Sequence, residues 1–164
     1  MHSHPPATPH AHARHINLRL ERWHRRGIYA AGAVLLASGV AWLIAHYFLR
    51  PVGQFGETVS PLEPWAMKLH GASAMLVLFF LGSLMNTHIR RALKAGRNLV
   101  SGWAMIVTLL LLTGTGYGLY YIADDSSRPL WSGVHWSGGL GLGALTVLHI
   151  ALGRRDHPSR ARAR

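Results

Sequence analysis

The chain has 164 residues, with 17 Lys and Arg against 6 Asp and Glu for a formal charge of +11, yet 49% of it is hydrophobic and only 14% charged. Soluble domains have roughly a quarter of their residues charged, so this basic balance reflects few acids rather than many bases; it argues against a nucleic-acid partner, and the apolar half excludes a disordered chain for most of the length. There is no cysteine, which excludes disulfides, iron–sulfur clusters, thiolate metal sites, catalytic thiols and covalently attached haem, and leaves histidine, twelve copies, as the residue type with chemistry to offer.

Residues 1–15 (MHSHPPATPHAHARH) are rich in Pro and His, and residues 1–22 are expected to form a disordered cytoplasmic tail with at most incidental metal affinity. A four-helix transmembrane domain is expected over 23–153, with a basic cytoplasmic tail over 154–164. The reason is the distribution of charge: no Asp, Glu, Lys or Arg occurs in 27–49, 69–89, 98–123 or 129–153. Each run reaches the ~20 residues that cross about 30 Å of hydrocarbon, and none shows the charged face that a soluble amphipathic helix carries. The spans are placed at about 27–49, 66–89, 99–122 and 130–153. The first run is too long for the apolar core of a secretory signal and ends in His46-Tyr47-Phe48-Leu49-Arg50 rather than at a small-residue cleavage site.

Between the first two spans, Pro51, Gly53, Gly56, Pro61 and Pro64 disfavour a continuous helix. Gly114, Gly116 and Gly118 in the third span, and Gly138, Gly139, Gly141 and Gly143 in the fourth, allow close approach of helices or of a flat cofactor. No internal repeat is found. Fourteen of the seventeen bases lie before the first span, between the second and third, and after the fourth. Arg50, Lys68 and Arg128 lie on the opposite side with Glu57, Glu63, Asp124 and Asp125. The positive-inside rule then predicts an up-down bundle in a bacterial-type cytoplasmic membrane with both termini cytoplasmic, and Trp23, Trp65, Trp103, Trp131 and Trp136 fall near the span ends where interfacial indoles belong.

Six histidines remain at or within the spans: His24, His46, His70, His88, His135 and His149. Ionisable groups at that depth are costly and mark function by default. His70 and His88 are 18 residues apart, five helical turns, so both face one way about 27 Å apart; His135 and His149 are 14 apart, about 40° from a common face and about 21 Å apart. With the second and fourth spans running the same way, His70 meets His135 near the outer side and His88 meets His149 near the inner side. Two stacked imidazole pairs suit six-coordinate haem iron. Zinc asks for three or four protein ligands and a proton relay for intramembrane carboxylates, and the spans supply neither. The stripe between the pairs is apolar or small, and Gly139, one turn after His135, leaves room beside a ligand. For each histidine the plainer alternative is an interfacial side chain bonded to a carbonyl or headgroup. That alternative is preferred for His24, which stands beside Trp23 and Arg25, and is evenly weighed for His46.

The segment His135-Trp-Ser-Gly-Gly-Leu-Gly-Leu-Gly-Ala-Leu-Thr-Val-Leu-His149 resembles the last helix of the four-helix di-haem cytochrome b subunits of membrane hydrogenases and formate dehydrogenases and their small relatives. The resemblance covers roughly residues 20–155, with the fourth-span motif its specific part. It implies haem b at two levels, transmembrane electron transfer, a redox partner protein and compatibility with a quinone that no residue locates. It also implies that His135 and His149 each serve one haem and that His70 is the outer partner. In that family the inner partner is usually a His at the start of the first helix, here His24. The inner pair is therefore open between His88/His149 and His24/His149, with His88 preferred on geometry, and His46 is a competitor at the outer haem. Arg90, Arg91, Arg154 and Arg155 are candidates for inner propionates and Lys68 or Arg128 for outer ones, although membrane anchoring alone accounts for them. The chain reads as an electron-carrying subunit more readily than as a stand-alone enzyme. The contrasting reading is a non-redox four-helix membrane protein, an assembly partner or small metal transporter, with Thr108, Thr113 and Thr115 as weak additional ligands.

Overall fold

The computed structural model describes residues 21–96 and 98–155; of the tails expected over 1–22 and 154–164, residues 1–20 and 156–164 lie outside the described residues, as does Arg97, while Arg22, Arg154 and Arg155 are helical. Four helices are long and apolar enough to cross a membrane: α1 (Arg22–Phe48), α2 (Leu62–Leu84), α4 (Leu99–Tyr121) and α5 (Arg128–Arg155). Between α2 and α4 the chain continues through a π turn (Met85–Ile89) and a short α3 (Arg90–Ala95).

Local chemistry sets the boundaries. Pro64 and Pro129 both sit inside the first turn of a helix, α2 and α5 respectively, where a missing N–H costs nothing because it has no intrahelical acceptor. Helix α2 therefore starts before Pro64, at Leu62, about one turn ahead of the start expected near 66. The loop ahead of it holds a small antiparallel ribbon, β1 (Val52–Gly53) with β2 (Gly56–Glu57), in which Val52 faces Glu57. Helix α3 ends at Gly96 (φ 61°), and Asn98 (φ 51°) opens α4. Glycine and asparagine are the residues that adopt left-handed backbone most readily, so two such positions reverse the chain within a very short link.

The helices pack as two hairpins, α1 with α2 and α4 with α5, and the hairpins touch chiefly through α1 and α5. Small residues at seven-residue steps make the seams. In α1 these are Ala31, Ser38 and Ala45, in α2 Ala66 and Ser73, all buried. In α4 the buried Ser101 and Thr115 flank the half-buried Thr108 at the same step. A seven-residue repeat of small side chains gives close, slightly supercoiled packing, the usual means of association where lipid supplies no hydrophobic drive. At Gly118 a Cβ would collide with the Trp131 ring, so this glycine is what lets α4 and α5 meet at their loop end. Outward side chains are large and apolar, among them Met75, Phe79, Leu110 and Val147, all highly exposed in the isolated chain as lipid-facing residues are. Among the described residues, no large side chain is fully buried.

Candidate functional site

The four histidines singled out from sequence stand as two cross-hairpin pairs. His70 on α2 and His135 on α5 have ring centroids 6.1 Å apart with planes at 70°. His88 and His149 have centroids 6.3 Å apart with planes at 77°. Since α2 with the π turn that continues it, and α5, carry one member of each pair in chain order, the two run in the same direction and the pairs lie at two depths. His88 sits within the π turn rather than on regular α-helix. Such turns locally break the α-helical phase and recur at functional positions.

His70, His135 and His149 are each held from behind by the neighbouring helix of their own hairpin. His70 Nδ1 lies 3.0 Å from the Leu35 carbonyl oxygen and 3.2 Å from Ser38 Oγ. A carbonyl only accepts, so Nδ1 carries the proton and Nε2 carries the lone pair. His135 Nδ1 lies 2.9 Å from Thr115 Oγ1, and His149 Nδ1 lies 2.8 Å from Ser101 Oγ. Those hydroxyls already donate to helix carbonyls: Thr115 to Leu111 at 2.8 Å and Ser101 to Asn98 at 3.3 Å. Each therefore presents lone pairs to the imidazole, and the same Nδ1–H tautomer follows. A glycine follows each hydroxyl residue. A Cβ on Gly39 would stand 3.1 Å from the His70 ring, on Gly116 3.3 Å from His135, and on Gly102 3.9 Å from His149.

Ser38, Ser101, Gly39 and Gly102 were not legible as functional from sequence, and Thr115 was legible only as a weak metal ligand. The available signal was the spacing. Ser101 and Thr115 are 14 residues apart, as are His135 and His149, and an antiparallel hairpin must then set the two hydroxyls opposite the two imidazoles. The motif is two residues long, too short to register as a repeat.

The remaining histidines are engaged elsewhere. His24 Nε2 lies 2.8 Å from Ser83 Oγ, and its ring leans on Phe80 and Trp23. His46 stacks on Trp42 at 4.5 Å and joins a cluster with Glu63 and Arg50. Its Nδ1 is 3.0 Å from Glu63 Oε2 and 2.9 Å from Arg50 Nη2. One nitrogen cannot donate to the first while accepting from the second, and donation to the ionised carboxylate is the stronger bond. The cluster ties the far end of α1 to the start of α2. Arg128 donates to the Leu119 and Ala123 carbonyls and closes the end of α4, while Lys68 Nζ stands 4.7 Å over the Trp65 ring. Gly139 faces open space, with nothing within 4 Å of a Cβ built there. In the α4–α5 loop, Asp124 Oδ1 accepts from the Ser127 amide and from the Ser126 and Ser127 hydroxyls. These bonds, led by that of the Ser127 hydroxyl, hold its carboxyl down at about 2.

Among the described residues, no group of three or more His, Asp or Glu converges as a metal cage; the histidines come in twos. Comparison with family models, with curated proteins and with solved structures finds no match.

Proposed function

We propose that this chain is a di-haem b-type membrane cytochrome, with His70 and His135 holding one haem and His88 and His149 the other. The observation carrying this reading is the spacing within the pairs. Two imidazoles bound on opposite sides of one metal, each with a metal–nitrogen bond of about 2 Å and roughly 1.1 Å from nitrogen to ring centre, have centroids about 6.2 Å apart. The two pairs stand at 6.1 and 6.3 Å. Fixed Nδ1–H tautomers on His70, His135 and His149 leave Nε2 as the ligating atom, the arrangement in which a histidine ligand donates its other N–H to an acceptor behind it. The rings of His70 and His88 face those of His135 and His149 from one hairpin to the other. For the inner pair, His24 commits its Nε2 to Ser83, which favours His88 over His24 as the partner of His149.

Bound haem supplies one-electron chemistry at two depths, and the chain then carries electrons across or within the membrane. The chain's own groups would provide the ligating nitrogens of His70, His88, His135 and His149, an apolar surround and backing hydrogen bonds, the levers that set a haem potential. The charge distribution supports both termini and the α2–α4 link on the cytoplasmic side, with His70/His135 toward the outside and a bacterial-type inner membrane as the host bilayer. The experiment is haem quantification on protein purified in detergent after haem-replete expression. Two non-covalent b haems per chain are expected; protein that is folded, monodisperse and haem-free overturns the reading.

A further inference from the structure

We propose that Ser38-Gly39, Ser101-Gly102 and Thr115-Gly116 are positioning dipeptides that hold the Nδ1 side of His70, His149 and His135 and tune the haem each histidine serves; this rests on the di-haem reading above. Three separate places in the fold show the same device. A hydroxyl residue, its proton given to a carbonyl three or four residues earlier in its own helix, turns a lone pair to Nδ1 of a histidine on the adjacent helix. The next residue is glycine, and at Gly39 and Gly116 even a methyl group would press the imidazole at 3.1 and 3.3 Å. At His135 and His149 the hydroxyl sets the tautomer, at His70 it shares Nδ1 with the Leu35 carbonyl, and at Gly39 and Gly116 the glycine sets the approach, leaving Nε2 as the nitrogen not held by the hairpin.

The device is ordered along the chain. On α4, Ser101 and Thr115 oppose His149 and His135 of α5, both pairs centred on the loop at Asp125. In the first hairpin, Ser38 of α1 opposes His70 of α2, and at the other level the roles are exchanged, with His24 on α1 and Ser83 on α2. There the hydroxyl takes Nε2 rather than Nδ1, and Ser83 donates in turn to the Phe80 carbonyl. The exchanged station turns the opposite nitrogen to its hydroxyl, so its ring does not present Nε2 as the other three do.

An acceptor on Nδ1–H makes the imidazole a stronger electron donor and stabilises ferric iron, so its removal raises the potential. The test is a potentiometric titration of the haem-loaded full chain. Thr115→Val is expected to raise the midpoint of one haem and Ser101→Ala that of the other, while Ser38→Ala, which leaves the Leu35 carbonyl on His70 Nδ1, is expected to raise the midpoint of the Thr115-linked haem by less. For Thr115→Val and Ser101→Ala the expected size is about tenfold in the reduced-to-oxidised ratio at fixed potential, or ~59 mV for a one-electron couple. Thr115→Ser restores the hydroxyl and is expected to restore the wild-type value, which a loss of packing alone would not do. Gly116→Ala is expected to lose or distort the low-spin signal of the Thr115-linked haem. Two haems with unmoved midpoints in all three hydroxyl variants overturn the proposal while leaving the di-haem reading intact. A wild-type chain without haem overturns the di-haem reading itself.

Discussion

His70 and His135 are each specified twice, once by facing one another and once by what stands behind them. The account therefore predicts that His70→Ala and His135→Ala each remove the same haem, and that His88→Ala and His149→Ala each remove the other, read as loss of one component of the reduced-minus-oxidised band. His24→Ala is expected to keep both haems; loss of one there, with His88→Ala keeping both, would move the inner ligand to α1. A second residue-scale expectation concerns Glu63, which is 7% exposed, hydrogen-bonded to His46 and the Ser60 amide, and ion-paired with Arg50 at 3.6 Å. Glu63→Ala leaves a guanidinium and an imidazole without their anion, at a cost of roughly 1–3 kcal/mol. Its check is a lowered thermal midpoint with haem content unchanged at fixed temperature, since the cluster ties helices together and is bonded to none of the four paired histidines.

Elements show how far the sequence could be read. The four spans follow from runs without charge, and the structure has four helices of the required length and apolarity. Their ends were less legible because proline has two meanings: Pro64 reads as a loop residue but is well tolerated in a first helical turn. The π turn at Met85–Ile89 has no signature in composition. The four facing histidines were legible because helical period converts spacing into direction, whereas Ser38 and Ser101 were not, because a hydroxyl in an apolar helix commonly bonds its own backbone. Gly118 belongs to this scale too. Gly118→Ala forces the Trp131 ring to move and is expected to destabilise the α4–α5 hairpin by about 1–3 kcal/mol, measured by thermal unfolding in detergent. The loop joining these helices carries a pH dependence. Asp124 titrates at about 2 against 3.8 for an unperturbed group, so its contribution is complete above about pH 4 and disappears as pH falls through 2. Ser127→Ala removes the leading cause and is expected to move the titration upward toward 3.8, measured by carboxyl carbon NMR.

At the scale of the whole molecule, the proposed topology makes the charge of +11 a sum over two faces rather than a property of one surface: it assigns fourteen bases and two acids to the side of the termini and three bases and four acids to the other. The absence of cysteine offers a clean test of the orientation this implies. Ser126→Cys is expected to react with an impermeant maleimide added outside spheroplasts and Ala95→Cys only after lysis; the reverse pattern inverts the topology. The larger claim is that this bundle is organised around pairs of imidazoles. Its small-residue seams join helices within each hairpin, and its histidines face across from one hairpin to the other. The most direct measurement is the low-temperature reduced-minus-oxidised visible spectrum of the purified, haem-replete chain. A b-type α-band split into two components of similar area is expected; a folded protein with no such band, or with one that persists when all four paired histidines are replaced, overturns the di-haem reading.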